Sequence, residues 1–306
     1  MEMRQLRHFV ALAEEGGFTR AAEREFIVQS GLSSSIRALE KDVGVELYVR
    51  GTHPVRLTAE GVALLPAARR ALAAAAATYD AIQAVRGLLV GQLRVGAYTS
   101  TRHLLPFTDW LAEFGRDHPD LDIQVQKLPS LRMHRMVADG ELDCALVTPT
   151  PDYPDDLELM PLASEPYVLI CSLDHPLAQV EQVALDGLNG ERFVETQPQW
   201  ASRVMTDMAF AGNGLTRRIV CEVGEWAMVA DLVAAGLGIA FVPCGVAADS
   251  SLPVHALKVT GFDFDFRRRI DLALPRGSAA SPAARRFAEH VQRNVQTTLG
   301  DWLSAS

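Results

Sequence analysis

Gln29-Ser30-Gly31-Leu32-Ser33-Ser34-Ser35-Ile36-Arg37-Ala38-Leu39 separates into two stripes when wound at 3.6 residues per turn. Leu32, Ile36 and Leu39 share one face, and Ser30, Ser33, Ser34 and Arg37 recur at i, i+3, i+4 and i+7 on another. The apolar stripe asks for a core. The hydroxyl stripe suits a helix pressed into the major groove of DNA, because short side chains reach base edges or phosphates without holding the backbone away, and Arg37 adds a charged contact. An ordinary solvated face has the same pattern, so periodicity by itself leaves both readings open.

The neighbours of this stretch favour the first. Leu6, Phe9, Val10 and Ala13 lay one apolar stripe along an earlier helix, which Gly16-Gly17 ends. Thr19 is placed to cap a second, short helix containing Ala21 and Ala22, whose small side chains admit a close neighbour. A turn through Phe26 to Val28 then leads to Gln29. Helix, short helix, tight turn and polar-faced helix is the order of a helix-turn-helix. Gly44 is the expected stop, after which Leu47-Tyr48-Val49 and Val55-Arg56-Leu57 pair as the strands of a wing. The expected DNA-binding residues are Thr19, Gln29, Ser30, Ser33, Ser34 and Arg37, with Arg50, His53 and Arg56 of the wing on the phosphate backbone or in the minor groove.

Several stretches fall in one register here: Leu6 to Glu14, Phe18-Thr19-Arg20-Ala21-Ala22, Gln29, Leu32-Ser33, Ile36 to Glu40, Gly44 to Tyr48 and Arg56 to Gly61. In that combination the chain closely resembles the LysR-type transcriptional regulators. The resemblance implies a winged helix-turn-helix, a long dimerising linker helix and a two-lobed α/β effector domain of the kind found in periplasmic solute-binding proteins. Where this chain has Gly17, Glu25, Ser30 and Ser34, the family usually has Ser, a small aliphatic residue, Pro, and Arg or a longer polar residue. Ser30 and Ser34 lie on the face assigned to base readout and bear on the operator sequence, whereas nothing in the sequence explains Glu25.

A net charge of -9 over 306 residues looks unfavourable for DNA until it is divided near residue 90. Residues 1–90 hold 11 Lys and Arg against 10 Asp and Glu, leaving 18 against 28 for the rest, so an acidic body carries a near-neutral head with local basic groups. No apolar run approaches the roughly 20 residues of a membrane span, and the start lacks an apolar leader; the expected location is the cytoplasm. Cys144, Cys171, Cys221 and Cys244 show neither a paired spacing nor metal-ligand spacing, which reads as buried thiols, with redox sensing by a pair of them as the alternative. No metal or other cofactor is expected.

The organisation expected is a DNA-binding domain over 1–58, a linker helix over 59–90 and an effector domain over 91–306. Its lobe I spans about 91–162 and 267–306, and its lobe II about 163–266. In the linker, Leu65, Ala68, Leu72, Ala75, Tyr79, Ile82, Arg86 and Leu89 form a heptad seam, read as a dimerisation surface or as a helix packed on its own domain; the resemblance favours the dimer, and implies a homodimer or homotetramer. Pro66 interrupts the helix or kinks it near its start. Beyond Gly91 strands and helices alternate, which predicts a mostly parallel sheet, with strands at 93–97, 123–125, 144–147, 168–171, 219–223, 239–242 and 270–274. Gly236 and Gly238 stand between a helix and a strand, the reverse of a nucleotide loop, and read as a helix stop and tight turn.

In such a fold a ligand lies where strand ends and helix starts converge between the lobes. Thr99, Ser100, Thr101 and Arg102 follow the first strand, and Ser130 the second. The resemblance adds Thr148 and, from the second lobe, Thr196 and Trp226. Arg102, Arg132 and Arg203 near helix starts point to a small effector that includes a carboxylate. An enzyme on the two-lobed domain is the distant alternative, since no nucleophile elbow, zinc motif or phosphate loop is present. The expectation is a ligand-responsive DNA-binding regulator without catalysis or membrane partners.

Overall fold

The computed structural model describes residues 1–85, 89–97, 104–149, 153–248 and 252–304. Three helices, α1 (Met3–Glu15), α2 (Phe18–Arg24) and α3 (Gln29–Val43), pack around Leu6, Phe9, Leu12, Leu32, Ile36 and Leu39, all buried. Each such side chain stabilises the head by about 1.5–3 kcal/mol through its removal from water. Gly16 and Gly44 end α1 and α3 in left-handed conformations, the second one turn beyond Leu39. Thr19 caps nothing: α2 starts one residue earlier, its N-cap is Gly17, and Thr19 sits exposed in the first turn.

Strands β1 (Tyr48–Val49) and β2 (Arg56–Leu57) form the wing. Thr58 then joins wing to linker. Its N–H donates to the Leu47 carbonyl, and its hydroxyl receives the Gly61 N–H at 3.0 Å, which starts α4 (Ala59–Val85). A Cβ on Gly61 would run into the Leu47 carbonyl, so only glycine lets the helix come this close.

The seam expected on α4 divides. Leu65, Ala68 and Leu72 pack into the core of the head, contrary to a seam reserved for a partner helix, because the first turns of α4 cover the apolar face left by α1. Ala75 is exposed, Leu89 packs into the core of the following domain, and Tyr79, Ile82 and Arg86 lie outside the described side chains. Pro66 stays within the continuous helix.

The remaining chain builds two apolar cores. The first, lobe I, gathers β3 (Gly91–Ala97), α5 (Phe107–Asp117), β4 (Leu121–Lys127), α6 (Ser130–Ala138), β5 (Cys144–Val147), the first half of β6 (Leu157–Ser172), and elements from the end of the chain. The second, lobe II, gathers the rest of β6 with β7 (Gln182–Ala184), β8 (Arg192–Thr196), α7 (Ala201–Gly212), β9 (Arg218–Val223), α8 (Trp226–Ala234), β10 (Ala240–Pro243), α9 (Cys244–Ala247) and β11 (Val254–Thr260). The chain returns to lobe I through β12 (Arg267–Pro275) and α10 (Pro282–Ser304).

The main sheet runs β4-β3-β5-β12-β6-β11-β7, with β10 also on β6. Its pairing is mixed rather than mostly parallel: β3 with β4 and β5 is parallel, but β12 with β5 and β6, and β6 with β10 and β11, are antiparallel. The reason is β6, a single 16-residue strand where only 168–171 reads as one in the sequence. It leaves β12 at Pro166 and takes up β10 at Tyr167, and so carries the chain from one core to the other. Glu165 and Arg268 form a buried ion pair beside this crossing, and the Gly245 N–H donates to Glu165 Oε2 at 2.9 Å.

Candidate functional site

The head exposes a polar surface on α3. Gln29, Ser30, Ser34 and Arg37 are exposed and Ser33 half-buried, while Leu32, Ile36 and Leu39 are turned inward. The Arg37 guanidinium lies back along its own helix, with Nε 3.3 Å from the Ser33 carbonyl and Nη2 3.5 Å from Ser34 Oγ. It is held over the hydroxyl stripe, with no carboxylate partner among the described residues. Val28, the N-cap, supplies no side-chain acceptor; its carbonyl takes the Gly31 N–H at 2.9 Å and the Leu32 N–H at 3.2 Å. Across the wing, His53 and Arg56 are exposed; Arg50 is exposed too, but steadied by Glu46 at 3.0 Å, by the buried Glu40 at 3.4 Å and by the Tyr48 ring.

Polar contacts inside the head fix the position of α3. His8 on α1 lies 2.8 Å from Ser35 Oγ, and burial lowers its pKa, which keeps the imidazole neutral. Glu25, unexplained in the sequence, is paired with Arg7 at 2.9 Å and largely covered. It ties the turn before α3 to α1 by charge where an aliphatic residue would do so by packing. Glu40 also receives the Leu47 N–H at 2.9 Å and so anchors the wing to α3. None of these is visible as a motif, because each joins residues 7 to 27 positions apart.

The second candidate site lies between the lobes. Ser130 opens α6, is buried, and its Oγ accepts the Thr148 N–H at 3.1 Å, joining the start of a helix to the end of β5. Opposite, Thr196 at the end of β8 shares a 2.9 Å hydroxyl contact with Ser202 on α7. Trp200, between Thr196 and Ser202, packs into the core of lobe I, so the segment that carries this second contact crosses the boundary between the lobes. Lys127, at the end of β4, meets Glu225, the N-cap of α8, at 2.6 Å and bridges the same boundary. Trp200 and Ser202 were not legible as site residues, since a Trp-Ala-Ser run carries no motif.

Other expected residues are placed differently. Trp226 begins α8 as expected, but its ring is buried in the lobe II core beside Tyr167. Arg203 is not available to a carboxylate ligand: it donates to Asp207, to Glu222 at 2.6 Å and to the Thr196 carbonyl at 3.2 Å. Arg132 turns away from Ser130 and lines a cavity beside the linker helix. Thr99, Ser100, Thr101 and Arg102 lie outside the described residues.

Two buried polar side chains near this boundary have no partner for some of their atoms: both ring nitrogens of His134, one turn along α6 from Ser130, and Nε1 of Trp200. Burial pushes the His134 pKa down to about 4. The cysteines are dispersed over β5, β6, β9 and α9, and burial raises the thiols of Cys144, Cys171 and Cys244, against the thiolate character that oxidation needs. Among the described residues no cluster of His, Cys, Asp and Glu has the form of a metal site, and no helix is long and apolar enough to cross a membrane.

Known proteins share this arrangement. Residues 3–62 match the family model described as bacterial regulatory helix-turn-helix protein, lysR family, and residues 86–296 match the LysR substrate binding domain. The uncharacterized HTH-type transcriptional regulator YnfL of Escherichia coli (strain K12) is 33% identical over 298 residues, covering 95% of this chain and 98% of YnfL. A full-length OxyR variant from Pseudomonas aeruginosa is similar with a TM-score of 0.74 and 24% identity, over 97% of this chain and 95% of that one. The effector binding domain of QuiR in complex with shikimate is similar with a TM-score of 0.58 and 20% identity, over 68% of this chain and 98% of that one.

Proposed function

The chain belongs to the LysR family of bacterial transcriptional regulators, and from that premise we propose how its residues divide the work of a ligand-responsive DNA-binding regulator. α3 enters the major groove and reads the operator with Gln29, Ser30, Ser33, Ser34 and Arg37, while Thr19, Arg50, His53 and Arg56 hold the flanking backbone. The effector lies between the lobes against Ser130, Thr148 and Thr196, with Trp226 supporting the wall from behind.

The units are 1–58, 59–90 and 91–306, with lobes near 91–162 with 267–306 and 163–266. Dimers form through the linker helix, where the exposed Ala74, Ala75 and Ala76 leave room for close approach. The chain works in the cytoplasm and binds its ligand without transforming it. The small molecule shifts the balance between lobe arrangements by binding one of them better, and so changes how two heads sit on a two-fold operator.

The observations behind the reading are the buried contact of Ser130 with Thr148 in lobe I and the buried contact of Thr196 with Ser202 in lobe II, whose neighbour Trp200 packs into the lobe I core. The reading is tested by titrating the full chain, with shikimate and a panel of small carboxylates and polyols, on its own upstream DNA at several salt concentrations. Saturable, salt-sensitive DNA binding is expected, altered by at least one compound in the parent chain and by none in Thr196→Val. A compound whose effect survives in Thr196→Val and in Ser130→Ala would place the effector elsewhere.

A further inference from the structure

Arg69 of α4 stands where three parts of the molecule meet. Its side chain is 15% exposed and reaches two carboxylates at once: Glu14 near the end of α1, 2.9 Å from Nη2, and Glu141, just past α6, through Nη1. Arg24 holds Glu14 from the other side at 2.6 Å. Next along the chain Arg70 faces Asp139 at 3.7 Å, and a Cβ on Gly140 would stand only 3.6 Å from that of Ala73.

Around these pairs lies a cavity of about 720 Å³, lined in part by Leu72, Gln92, Arg132 and Met136. The apolar core of the head takes in α4 as far as Leu72, that of lobe I takes in Leu89, and no residue belongs to both. The head with the first turns of α4 is therefore one packed unit, and at this junction it meets lobe I through ion pairs around a hollow. The same helix α4 also meets α10 of lobe I, so these charges act beside a second contact.

This contact has a second end. α6 starts at Ser130, whose hydroxyl takes the Thr148 N–H between the lobes, and finishes at Ala138, directly before Asp139 and Glu141. A helix of nine residues spans about 13 Å as a rigid rod. A shift of its first turn is thus delivered to the partner of Arg69.

We propose that Arg69 is a positioning residue of the DNA-reading head: through Glu141 it sets the orientation of the head on lobe I, and α6 brings events at Ser130 to that contact. The α6 step rests on the reading of the interlobe site given above; the Arg69 step does not. Linkage requires that whichever lobe arrangement holds Glu141 against Arg69 also favours one head orientation.

The test uses the full chain carrying Cys221→Ser and Cys244→Ser, spin-labelled at Lys41→Cys on the head and Glu158→Cys on lobe I and mixed with excess unlabelled chain so that each oligomer holds one labelled protomer, with the distance within it measured by double electron-electron resonance. At low salt the parent is expected to show one narrow distance that Glu141→Gln broadens and shifts, while the melting temperature stays at the parent value. High salt is expected to broaden the parent in the same way, since partly exposed pairs are screened. An unchanged distance in Glu141→Gln overturns the proposal.

Ser130→Ala, which removes the acceptor at the other end of α6, is expected to shift the distance in the parent and to add nothing to Glu141→Gln. No shift, or an equal shift in both backgrounds, overturns the α6 step. Failure of the interlobe reading is a separate outcome, because it shows as a ligand response retained in Thr196→Val, a substitution remote from Arg69.

Discussion

The head and lobe II place their charges differently. The head closes over an apolar cluster, and its ion pairs, Arg7 with Glu25 and Arg50 with Glu46, stand at its rim. Lobe II has an apolar core as well, but a chain of charges runs along it: Glu195, Arg217, Asp207, Arg203 and Glu222. Arg217 and Glu195 are 6% and 7% exposed and 2.7 Å apart, and the guanidinium lies over the rings of Phe210 and Phe193. Both regions are stabilised mainly by apolar burial, and lobe II adds buried paired charges that need one another. Each can be disturbed without the other.

Arg217→Ala gives the largest expected effect, about 3–5 kcal/mol, because it leaves Glu195 buried without its partner. In calorimetry the sensor transition should fall while that of the head stays; a joint fall would erase the distinction between the two regions. Leu39→Ala is the converse, expected to cost the head about 2–5 kcal/mol. Operator binding should be lost with the sensor transition in place. Arg37→Ala spares both folds and is expected to weaken operator binding by about 1–3 kcal/mol, roughly 5- to 150-fold. An equal loss on scrambled DNA in a mobility-shift titration would mark Arg37 as a phosphate contact and leave base readout to the hydroxyls.

A smaller effect is expected from pH, with opposite signs in the two regions. Burial raises Glu195 to about 7, against the pull of Arg217, from an ordinary value of 4.5. The stability this group contributes is complete below pH 4.5 and lost as pH rises through about 7. His8 in the head is lowered from 6.5 by burial, so its contribution is present above 6.5 and lost as pH falls through its lowered value. Melting curves from about pH 5 to 8 should therefore move apart, lobe II gaining on acidification as the head loses, and Glu195→Gln should flatten the first slope. The smallest change is expected from peroxide: with the Cys144, Cys171 and Cys244 thiols raised by burial, operator binding should not change. A reversible change abolished by Cys244→Ser would turn the sensor into a redox device.

The same contrast governs what could be read from the sequence. The head is legible because its information is local: α3 carries its core stripe and its hydroxyl stripe within fifteen residues, and Gly16, Gly44 and the wing follow at short range. Thr19 failed as a cap because α2 could start two residues earlier, with Gly17 as its N-cap. The linker seam was half misassigned, since an apolar stripe does not say whether it meets a partner or its own domain, and Leu65, Ala68 and Leu72 meet their own. Between the lobes, Ser130 and Thr148 are 18 residues apart, and Trp200 matters because it crosses to the other core. Arg203 shows the limit most clearly: a cation at a helix start invites an anion, and only the fold reveals that Asp207 and Glu222 already occupy it.

The continuity of α4 from the packed turns at Leu65 and Leu72 to Val85 makes the linker a crankshaft. Each residue inserted into its exposed alanines would rotate the head about the helix axis by about 100° relative to the sensor, and four would bring it back to within about 40° of its starting phase. Regulation in cells carrying such insertions should then rise and fall with the helical repeat, whereas a linker that served merely as a tether would lose it gradually with length.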